Sequence, residues 1–294
     1  MTDGKHVYAL FGSYGIYCLT LEGDIVWQKD LGDMRTRRGW GEAVSPVVHD
    51  GKLVVNWDQE DQSHIYVLDA KTGDMVWKKD RDEPTTWATP LVVNASGKNQ
   101  LITNGTNAVR SYDLENGDLI WESPGTTLNA IPCPIQNGDQ VICMAGYRGN
   151  MALSIGLDSI GKVTDSNVGG EHPVKWKMAQ NTPYVPSPLL IDGRLYFTKS
   201  LNAILNCLDV KTGKPIYELT RMPEMKSMYG SPVAVDNRIY FTSREGTTLV
   251  IRNSDKFEVL ATNRLDEAID ASPAIVGNQI FLRGKKNLYC IEAK

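Results

Sequence analysis

The residue types that most often carry chemistry are sparse in this sequence and are not spaced as a known site. The four histidines, His6, His49, His64 and His172, are scattered along the chain, and none belongs to a metal-ligand motif such as H-E-x-x-H. The five cysteines include neither an adjacent pair nor a C-x-x-C pair, so neither a disulfide framework nor a zinc site is indicated. A G-x-S-x-G elbow is absent as well. The sequence therefore points away from metal, thiol and serine-nucleophile chemistry.

A second group of residues is suited to binding a ligand. Aromatic side chains offer a large contact area at low entropic cost, and the planar guanidinium of arginine recognises carboxylates and hydroxyls. Trp40, Trp57 and Trp87 stand outside the repeated positions of the sequence, so packing periodicity does not account for them. We expect them to stack on a sugar ring or to grip a peptide. The residues that we expect to form the ligand site are Arg38, Trp40, Trp57, Tyr147, Arg148, Tyr184 and Arg244.

The elements that must position these residues repeat along the chain. A small residue followed by proline opens an apolar run six times, and successive prolines are 44, 44, 54, 44 and 41 residues apart. Self-similarity at such a period is typical of propellers and solenoids. The six dipeptides are Ser45-Pro46, Thr89-Pro90, Cys133-Pro134, Ser187-Pro188, Ser231-Pro232 and Ser272-Pro273.

Each repeat contains four short strands. Between residues 45 and 80, β-rich runs at 46–48, 53–56, 65–68 and 75–77 alternate with turns, of which Asp50-Gly51 has a hairpin sequence. A four-stranded antiparallel unit cannot bury both faces alone, and radial packing of several units solves this. The sequence therefore predicts an all-β fold: a β-propeller of four-stranded antiparallel blades that forms a single domain over residues 1–294. In such a ring the candidate ligand residues fall in loops that gather on one face.

The two ends of the chain supply incomplete blades. The first residues provide the second, third and fourth strands of a blade, and the last residues provide the first, second and third. With five complete repeats between them, the prediction is seven blade positions, two of them three-stranded. Unpaired edges of this kind invite pairing with a terminal strand or with another chain, so self-association through the terminal blades is a further expectation.

At the turn before the fourth strand, the sequence resembles the pyrroloquinoline-quinone-propeller repeat. The resemblance covers nearly the whole chain and implies that the Asp and Thr-Gly residues shape the turn while the aromatic residue packs between blades. It extends to the bacterial PQQ-binding-like propeller-repeat proteins of the quinoprotein alcohol dehydrogenase-like superfamily, which commonly have eight blades, so the chain looks shortened at its beginning. The matching segments are Asp69-Ala70-Lys71-Thr72-Gly73 with Trp77, Asp113-Leu114-Glu115-Asn116-Gly117 with Trp121, Asp209-Val210-Lys211-Thr212-Gly213 with Tyr217, Gly15-Ile16-Tyr17-Cys18 with Trp27, and residues 181–188.

Three details of the repeats lead to further predictions. The 54-residue unit contains an insertion at 156–175, which predicts a long loop. The unit after Ser231 replaces the signature by residues 253–256 and loses the aromatic. Cys18, Cys207 and Cys290 occupy one repeat position, which predicts that all three are buried and unreactive.

The resemblance raises the question of a quinoprotein dehydrogenase. Such enzymes hold a quinone between flat walls, a calcium ion on carboxylate and amide oxygens, and a carboxylate base. The sequence has no Cys-Cys pair and no matching set of Glu, Asn and Asp, so we expect neither pyrroloquinoline quinone nor calcium as a cofactor and lean against an enzyme.

The leading hypothesis is a non-catalytic binding or scaffold propeller that recognises a protein, peptide or glycan through its polar loop face. It would be similar in kind to the propeller lipoprotein of bacterial outer-membrane assembly. The alternatives are a quinone- or metal-dependent oxidoreductase, and a shortened propeller or gene fragment without its own activity.

Charge and hydropathy restrict the partners and the compartment. A formal net charge of −4 and a pI near 5.6 argue against a nucleic-acid partner. No stretch approaches the roughly eighteen apolar residues of a membrane helix, and the first residues lack a signal pattern. The chain is therefore expected to be soluble and not inserted in a membrane, while the resemblance implies a periplasmic or extracytoplasmic full-length protein.

Overall fold

Seven sheets of short strands build the fold. The computed structural model describes residues 1 to 292. Within these residues the helical elements are two short 3-10 turns, Gly12–Tyr14 and Arg37–Gly39. The predicted all-β propeller with seven blades is confirmed. We number the sheets blade 1 to blade 7 in chain order.

The blades are meanders in which neighbouring strands pair in antiparallel fashion. The strands of blades 1 to 3 are β1 (His6–Leu10), β2 (Ile16–Thr20), β3 (Ile25–Lys29), β4 (Val47–His49), β5 (Lys52–Trp57), β6 (Ser63–Asp69), β7 (Met75–Arg81), β8 (Leu91–Ala95), β9 (Lys98–Thr103), β10 (Ala108–Asp113) and β11 (Leu119–Pro124). Those of blades 4 and 5 are β12 (Ile135–Asn137), β13 (Gln140–Ala145), β14 (Met151–Gly156), β16 (Val174–Met178), β17 (Leu189–Ile191), β18 (Arg194–Thr198), β19 (Ile204–Asp209) and β20 (Pro215–Arg221), and the short strand β15 (Gly161–Lys162) lies between β14 and β16 in the chain. Those of blades 6 and 7 are β21 (Val233–Val235), β22 (Arg238–Thr242), β23 (Thr247–Arg252), β24 (Val259–Arg264), β25 (Ala274–Val276), β26 (Gln279–Arg283) and β27 (Leu288–Glu292).

The two terminal blades are incomplete, as the repeat pattern predicts. Blade 1 contains β1, β2 and β3, and blade 7 contains β25, β26 and β27. Blades 2, 4, 5 and 6 have four strands each, and β15 adds a fifth strand to blade 3. The edge strand β27 has no sheet partner on its far side among the described strands, whereas residues 1 and 2 form a β-bridge to Val7 and backbone hydrogen bonds with Tyr8 at the edge of β1.

The signature aromatic residues lie at a register shift between the third and fourth strands. In blade 2 the shift falls between Val67 and Leu68, and Trp77 pairs with Val67. The same shift recurs at the equivalent place in six blades. A β-bulge changes the direction of the side chain beside it, so this repeated register shift sets the direction of the aromatic ring.

The aromatic ring then packs on the signature turn of the next blade, as the resemblance implies. The indole Nε1 of Trp27 donates to the carbonyl oxygen of Ala70 at 3.0 Å. A Cβ on Gly73 would lie 2.8 Å from that indole, and Gly73 has a φ of +75°, so both the close approach and the backbone favour glycine. Asp69 stabilises the turn, because its Oδ1 accepts hydrogen bonds from the backbone N–H groups of Lys71 and Thr72, both at 2.9 Å. The bond from Thr72 holds the pKa of Asp69 below its usual value.

The insertion in blade 4 is not only a loop. Its strand β15 pairs in parallel with β11, so that Gly161 lies opposite Trp121. The N–H of Val163 donates to the carbonyl oxygen of Glu122 at 2.8 Å, and Val163 is buried in the core between blades 3 and 4. The predicted long loop is corrected accordingly, because its residues cover the outer edge of blade 3.

Blades 6 and 7 are packed less closely than the others. At the place of the signature tryptophan, Ala261 pairs with Val250. A groove with a volume of about 690 Å³ lies between the two blades, lined in part by Tyr240, Ile280 and Leu282. The lost aromatic residue, which the sequence shows, thus has a visible packing consequence.

The prediction for the three equivalent cysteines holds for two of them. Cys18 and Cys207 are buried, but Cys290 is exposed. Burial raises the pKa of Cys207 to about 11, which makes its thiol a poor nucleophile. Cys290 differs because blade 7 has no fourth strand to cover it.

Candidate binding site at the loop face

Four aromatic rings meet where the linkers between blades gather. Trp40 comes from the linker between β3 and β4, Trp87 from that between β7 and β8, and Tyr184 from that between β16 and β17, while Tyr147 comes from the loop between β13 and β14. The ring centroids of Trp40 and Trp87 are 6.1 Å apart, and those of Trp40 and Tyr147 are 6.2 Å apart with an edge-to-face geometry. Tyr147 and Tyr184 are stacked at 4.8 Å. We call these four residues the aromatic patch.

The aromatic patch is open to a ligand at Trp40. The side chain of Trp40 is 48% exposed, whereas Trp87 is 9% exposed and lies beneath it. Tyr147 and Tyr184 are half-buried. An exposed indole on a floor of fixed rings is the usual form of an anchoring site for an apolar or planar group.

Two arginines flank the rings. The guanidinium carbon of Arg38 lies 5.8 Å from the Trp40 ring centroid, and that of Arg148 lies 5.5 Å from the Tyr147 ring centroid. Both arginines are exposed, and neither has an acidic partner within 4 Å in residues 1 to 292. Their donors are therefore available to carbonyl or carboxylate oxygens of a ligand that covers the rings.

Neighbouring blades anchor the loop that carries Trp40. The N–H of Arg37 donates to Thr85 Oγ1 at 2.9 Å, and the indole of Trp87 donates to the carbonyl oxygen of Gly41 at 2.8 Å. The backbone N–H of Trp87 donates in turn to the carbonyl oxygen of Ala130 at 2.8 Å. Three consecutive linkers are thus tied together, so the patch is largely pre-formed.

Four non-glycine residues in the loops that carry the patch have a left-handed backbone conformation. Arg38, Asn129, Arg148 and Asn181 have φ values of 53°, 56°, 50° and 59°, in the left-handed region that non-glycine residues seldom adopt. Such residues persist only where the surroundings hold them, and they cluster at binding sites. The strain is consistent with a site whose geometry is set before any ligand arrives.

A polar group lies beneath the stacked tyrosines. Asn129 is fully buried, and its Nδ2 donates to the hydroxyl of Tyr184 at 3.4 Å. Its Oδ1 has no hydrogen-bond partner among the described residues. Burial raises the pKa of Tyr184, and the nearby Tyr147 and Tyr229 add to this effect. The hydroxyl of Tyr184 therefore stays protonated and available as a hydrogen-bond donor.

A buried ion pair supports the floor of the site. Arg81 and Asp58 are in contact at 2.7 Å, and both side chains are completely inaccessible. Desolvation alone would lower the pKa of Arg81, but the Asp58 carboxylate raises it, so the guanidinium remains charged. Asp58 also accepts from Thr86 Oγ1 at 2.6 Å. Because Thr86 adjoins Trp87, the pair fixes the linker that carries the patch.

Five of the seven expected site residues lie at this site, Arg244 adjoins it through Tyr229, and Trp57 is not part of it. Arg38, Trp40, Tyr147, Arg148 and Tyr184 form the patch and its arginine rim. The expectation for Trp57 is wrong. The residue is 1% exposed and ends β5, where it packs edge-on against Tyr66 at 6.1 Å.

Arg244 lies next to the patch and reaches it through Tyr229, whose hydroxyl is near enough to Tyr184 to raise its pKa. Its guanidinium sits 3.8 Å from the Tyr229 ring centroid and pairs with Asp270 at 2.7 Å. That hydrogen bond raises the pKa of Arg244. The sequence indicates Trp87 as a residue that can stack on a ligand, but neither Trp87 nor Asn129 is among the seven expected site residues. Both residues lie in linkers that precede a strand opened by proline, and this position in the repeat is the sequence signal that predicts them at the site.

The described residues contain no cluster of three or more His, Cys, Asp or Glu side chains that could hold a metal ion. Nor is any helix within residues 1 to 292 both long and apolar enough to cross a membrane. The loop face brings together aromatic, cationic and amide groups, which are suited to contacts with a ligand.

The fold is a propeller, and the aromatic patch on its loop face is a candidate binding site. Residues 1–219 match the family of the outer membrane protein assembly factor BamB, and the chain belongs to this family. The crystal structure of BamB from Moraxella catarrhalis superposes with a TM-score of 0.73 at 13% sequence identity, and the match covers 99% of this chain and 82% of that one. At this identity the likeness shows the fold alone. A search of curated proteins found no match.

Proposed function

We propose that this protein is a non-catalytic scaffold that holds an extended polypeptide on the aromatic patch. The observation that carries the proposal is the continuous contact of Trp40 with Trp87 and with Tyr147, and of Tyr147 with Tyr184, beside two arginines that have no acidic partner in residues 1 to 292. Aromatic anchors with adjacent arginines are the residues that dominate protein-binding sites.

A polypeptide suits the chemistry of this site. Its apolar side chains can pack on the Trp40 indole, while its carbonyl oxygens accept hydrogen bonds from Arg38 and Arg148. The family name refers to assembly of outer membrane proteins. We therefore propose that the bound polypeptide is an outer membrane protein or a component of its assembly machinery, and that binding takes place outside the cytoplasm.

The test is a peptide titration with matched variants. Fluorescent peptides that tile the strands of a bacterial outer membrane protein are titrated with the protein, and anisotropy gives the Kd. We expect Trp40→Ala to weaken the tightest peptide by about tenfold or more, as for other aromatic anchors. Tyr14→Ala is the control, because Tyr14 is an 85% exposed aromatic residue outside the patch. Equal Kd values for the wild type and Trp40→Ala would contradict the proposal.

The same preparation tests the oxidoreductase alternative. Pyrroloquinoline quinone and calcium are added, and absorbance and dye-linked alcohol oxidation are recorded. The scaffold proposal expects neither saturable quinone binding nor turnover. Saturable quinone binding together with turnover would overturn the scaffold proposal. Tight binding to a panel of glycans, with no binding to any peptide, would overturn it as well.

A further inference from the structure

A small cavity lies beside the aromatic patch. It has a volume of about 50 Å³ and is enclosed by residues of blades 1 and 2 and of the linkers that follow them. Trp87, whose ring belongs to the patch, forms one wall, and Glu42 and Val44 of the linker that carries Trp40 form another. Ala43 also lines the cavity and is exposed, so the cavity reaches the surface close to Trp40.

The polar groups on the wall of this cavity are mostly hydrogen-bond acceptors. Glu42, Asp58, the amide of Asn56 and the hydroxyls of three threonines line it. Within the part of the chain that the structure describes, its lining includes no lysine, arginine or histidine. Carboxylates accept hydrogen bonds and cannot donate them. The cavity therefore favours a group that donates hydrogen bonds.

One of these acceptors lacks a donor. Asn56 is 1% exposed, and its Nδ2 donates to Asp58 Oδ2 at 3.1 Å and to Thr86 Oγ1 at 3.2 Å. Because the Asp58 carboxylate can only accept, the nitrogen must face it and the amide orientation is fixed. Asn56 Oδ1 then has no hydrogen-bond partner among the described residues. A buried acceptor without a donor is unfavourable, so a donor is expected from whatever occupies the cavity.

The cavity wall also carries an uncompensated negative charge. The carboxylate of Glu42 accepts from the backbone N–H of Ser13 at 2.7 Å and from its hydroxyl at 2.6 Å. No basic side chain lies within 4 Å of this carboxylate in residues 1 to 292. The charge of Asp58, by contrast, is balanced by Arg81. Glu42 therefore favours a cation in the cavity.

The ammonium group of a lysine side chain fits these requirements. It is a compact cation with three donors, and the cavity has room for one or two groups of the size of a water molecule, each of roughly 30 Å³. The methylene stem of lysine can pack on the apolar side chains of Met34, Val44 and Trp87, which also line the cavity. A metal ion suits it less well, because no cluster of three or more His, Cys, Asp or Glu side chains occurs among the described residues.

We propose that this cavity binds the ammonium group of a lysine side chain from the polypeptide that lies on the aromatic patch. Glu42 supplies the opposite charge, and Asn56 Oδ1 accepts a hydrogen bond from the ammonium group. The source of the lysine rests on the function proposed above, whereas the affinity of the cavity for an ammonium group does not. The patch would then select segments in which a lysine lies close to the apolar residue that packs on Trp40.

An analogue of the lysine side chain tests the cavity without any peptide. Butylammonium chloride is titrated into isotope-labelled protein, and NMR follows the indole N–H of Trp87, which is identified by its loss in Trp87→Phe. We expect a saturable shift with a Kd in the millimolar range, as for other very small ligands. Sodium chloride should give no saturable shift. Butanol, which has the same stem without the charge, should bind about tenfold more weakly or worse.

Two variants and a control locate the bound ammonium group. Glu42→Gln keeps the shape of the side chain without its charge and should weaken butylammonium binding by about tenfold or more. Val44→Met narrows the cavity, leaves its polar groups in place and should also weaken binding, which keeps the test valid if Glu42→Gln fails to fold. Asp33→Asn removes the same charge from an exposed residue outside the cavity and should have little effect. The inference is overturned if the Trp87 signal does not shift, as in a cavity that holds water only, or if Glu42→Gln binds as tightly as the wild type.

Peptides in which lysine is replaced by norleucine test the source of the ammonium group. Each lysine of the tightest peptide of the titration is replaced in turn. We expect one replacement to weaken binding to the wild type by about tenfold or more, and to change binding to Glu42→Gln little. If binding depends on Trp40 but every norleucine peptide binds like its parent, or if the tightest peptide contains no lysine, this inference is wrong and the proposed function stands. If butylammonium binds but no peptide does, the proposed function is wrong and the cavity is still an ammonium site.

Discussion

Tryptophan residues of this protein take different roles according to what surrounds them. Trp57 is 1% exposed and packs in the core between blades 1 and 2 with Tyr8 and Ile16. Trp40 is 48% exposed, and its ring contacts the rings of Trp87 and Tyr147 in other loops. Burial therefore separates a structural tryptophan from one that can contact a ligand, although both stand outside the signature position.

This difference predicts opposite results for two truncations. Trp57→Ala should lower the free energy of unfolding by about 3–5 kcal/mol, the cost of removing a large core aromatic. Trp40→Ala should lower it by less than about 1 kcal/mol, because its ring is half exposed. Urea denaturation followed by circular dichroism measures both. Equal losses for the two variants would show that the burial of one of them is misassigned.

The buried pair of Asp58 and Arg81 gives a second prediction. Asp58→Asn leaves a charged guanidinium without its carboxylate in an inaccessible site, and removing one partner of such a pair costs about 3–5 kcal/mol. The double variant Asp58→Leu with Arg81→Met leaves no charge and should cost less. Denaturation of the three proteins tests this, and a double variant less stable than Asp58→Asn would be the contrary result.

At the scale of the elements, the sequence predicts most of the strands. The turns rich in Gly, Asp and Asn separate apolar runs at a constant period, so both the blade plan and the incomplete terminal blades could be derived. Strand boundaries were less accurate. The sequence ended the second strand of blade 2 at Asn56, but β5 continues to Trp57, which pairs with His64. Because β5 is one residue longer than the sequence predicts, Trp57 lies in the core and not in a loop.

The lost aromatic residue of blade 6 supports a prediction about interblade packing. Ala261→Trp should place an indole in the groove between blades 6 and 7, and filling a cavity commonly adds about 0.5–2 kcal/mol to stability. We expect a higher melting temperature than that of the wild type. Thr262→Trp is the control, because this neighbouring side chain is exposed. If both substitutions change the melting temperature equally, the groove is not an unfilled aromatic position.

At the scale of the whole molecule, the aromatic patch depends on how the blades are arranged around the propeller axis. Trp40 and Tyr147 are far apart in the sequence, yet their ring centroids are 6.2 Å apart. The sequence could place both residues in loops on one face, since loops of a propeller gather there. It could not show which loops touch, because that depends on the angle between blades and on anchors such as the bond from Trp87 to Gly41.

The central claim is that a polypeptide binds at the aromatic patch, and site-specific photo-crosslinking tests it most directly. A benzophenone amino acid replaces Trp40, Tyr14, Asp50 or Asp192 in separate variants, and the tightest peptide of the titration is added before irradiation. Asp50 and Asp192 lie in the turns between the first and second strands of blades 2 and 5, on the opposite face of the ring. The account predicts crosslinks from position 40 and none from the other three. Crosslinks confined to positions 50 and 192 would place the binding surface on the opposite face and contradict it.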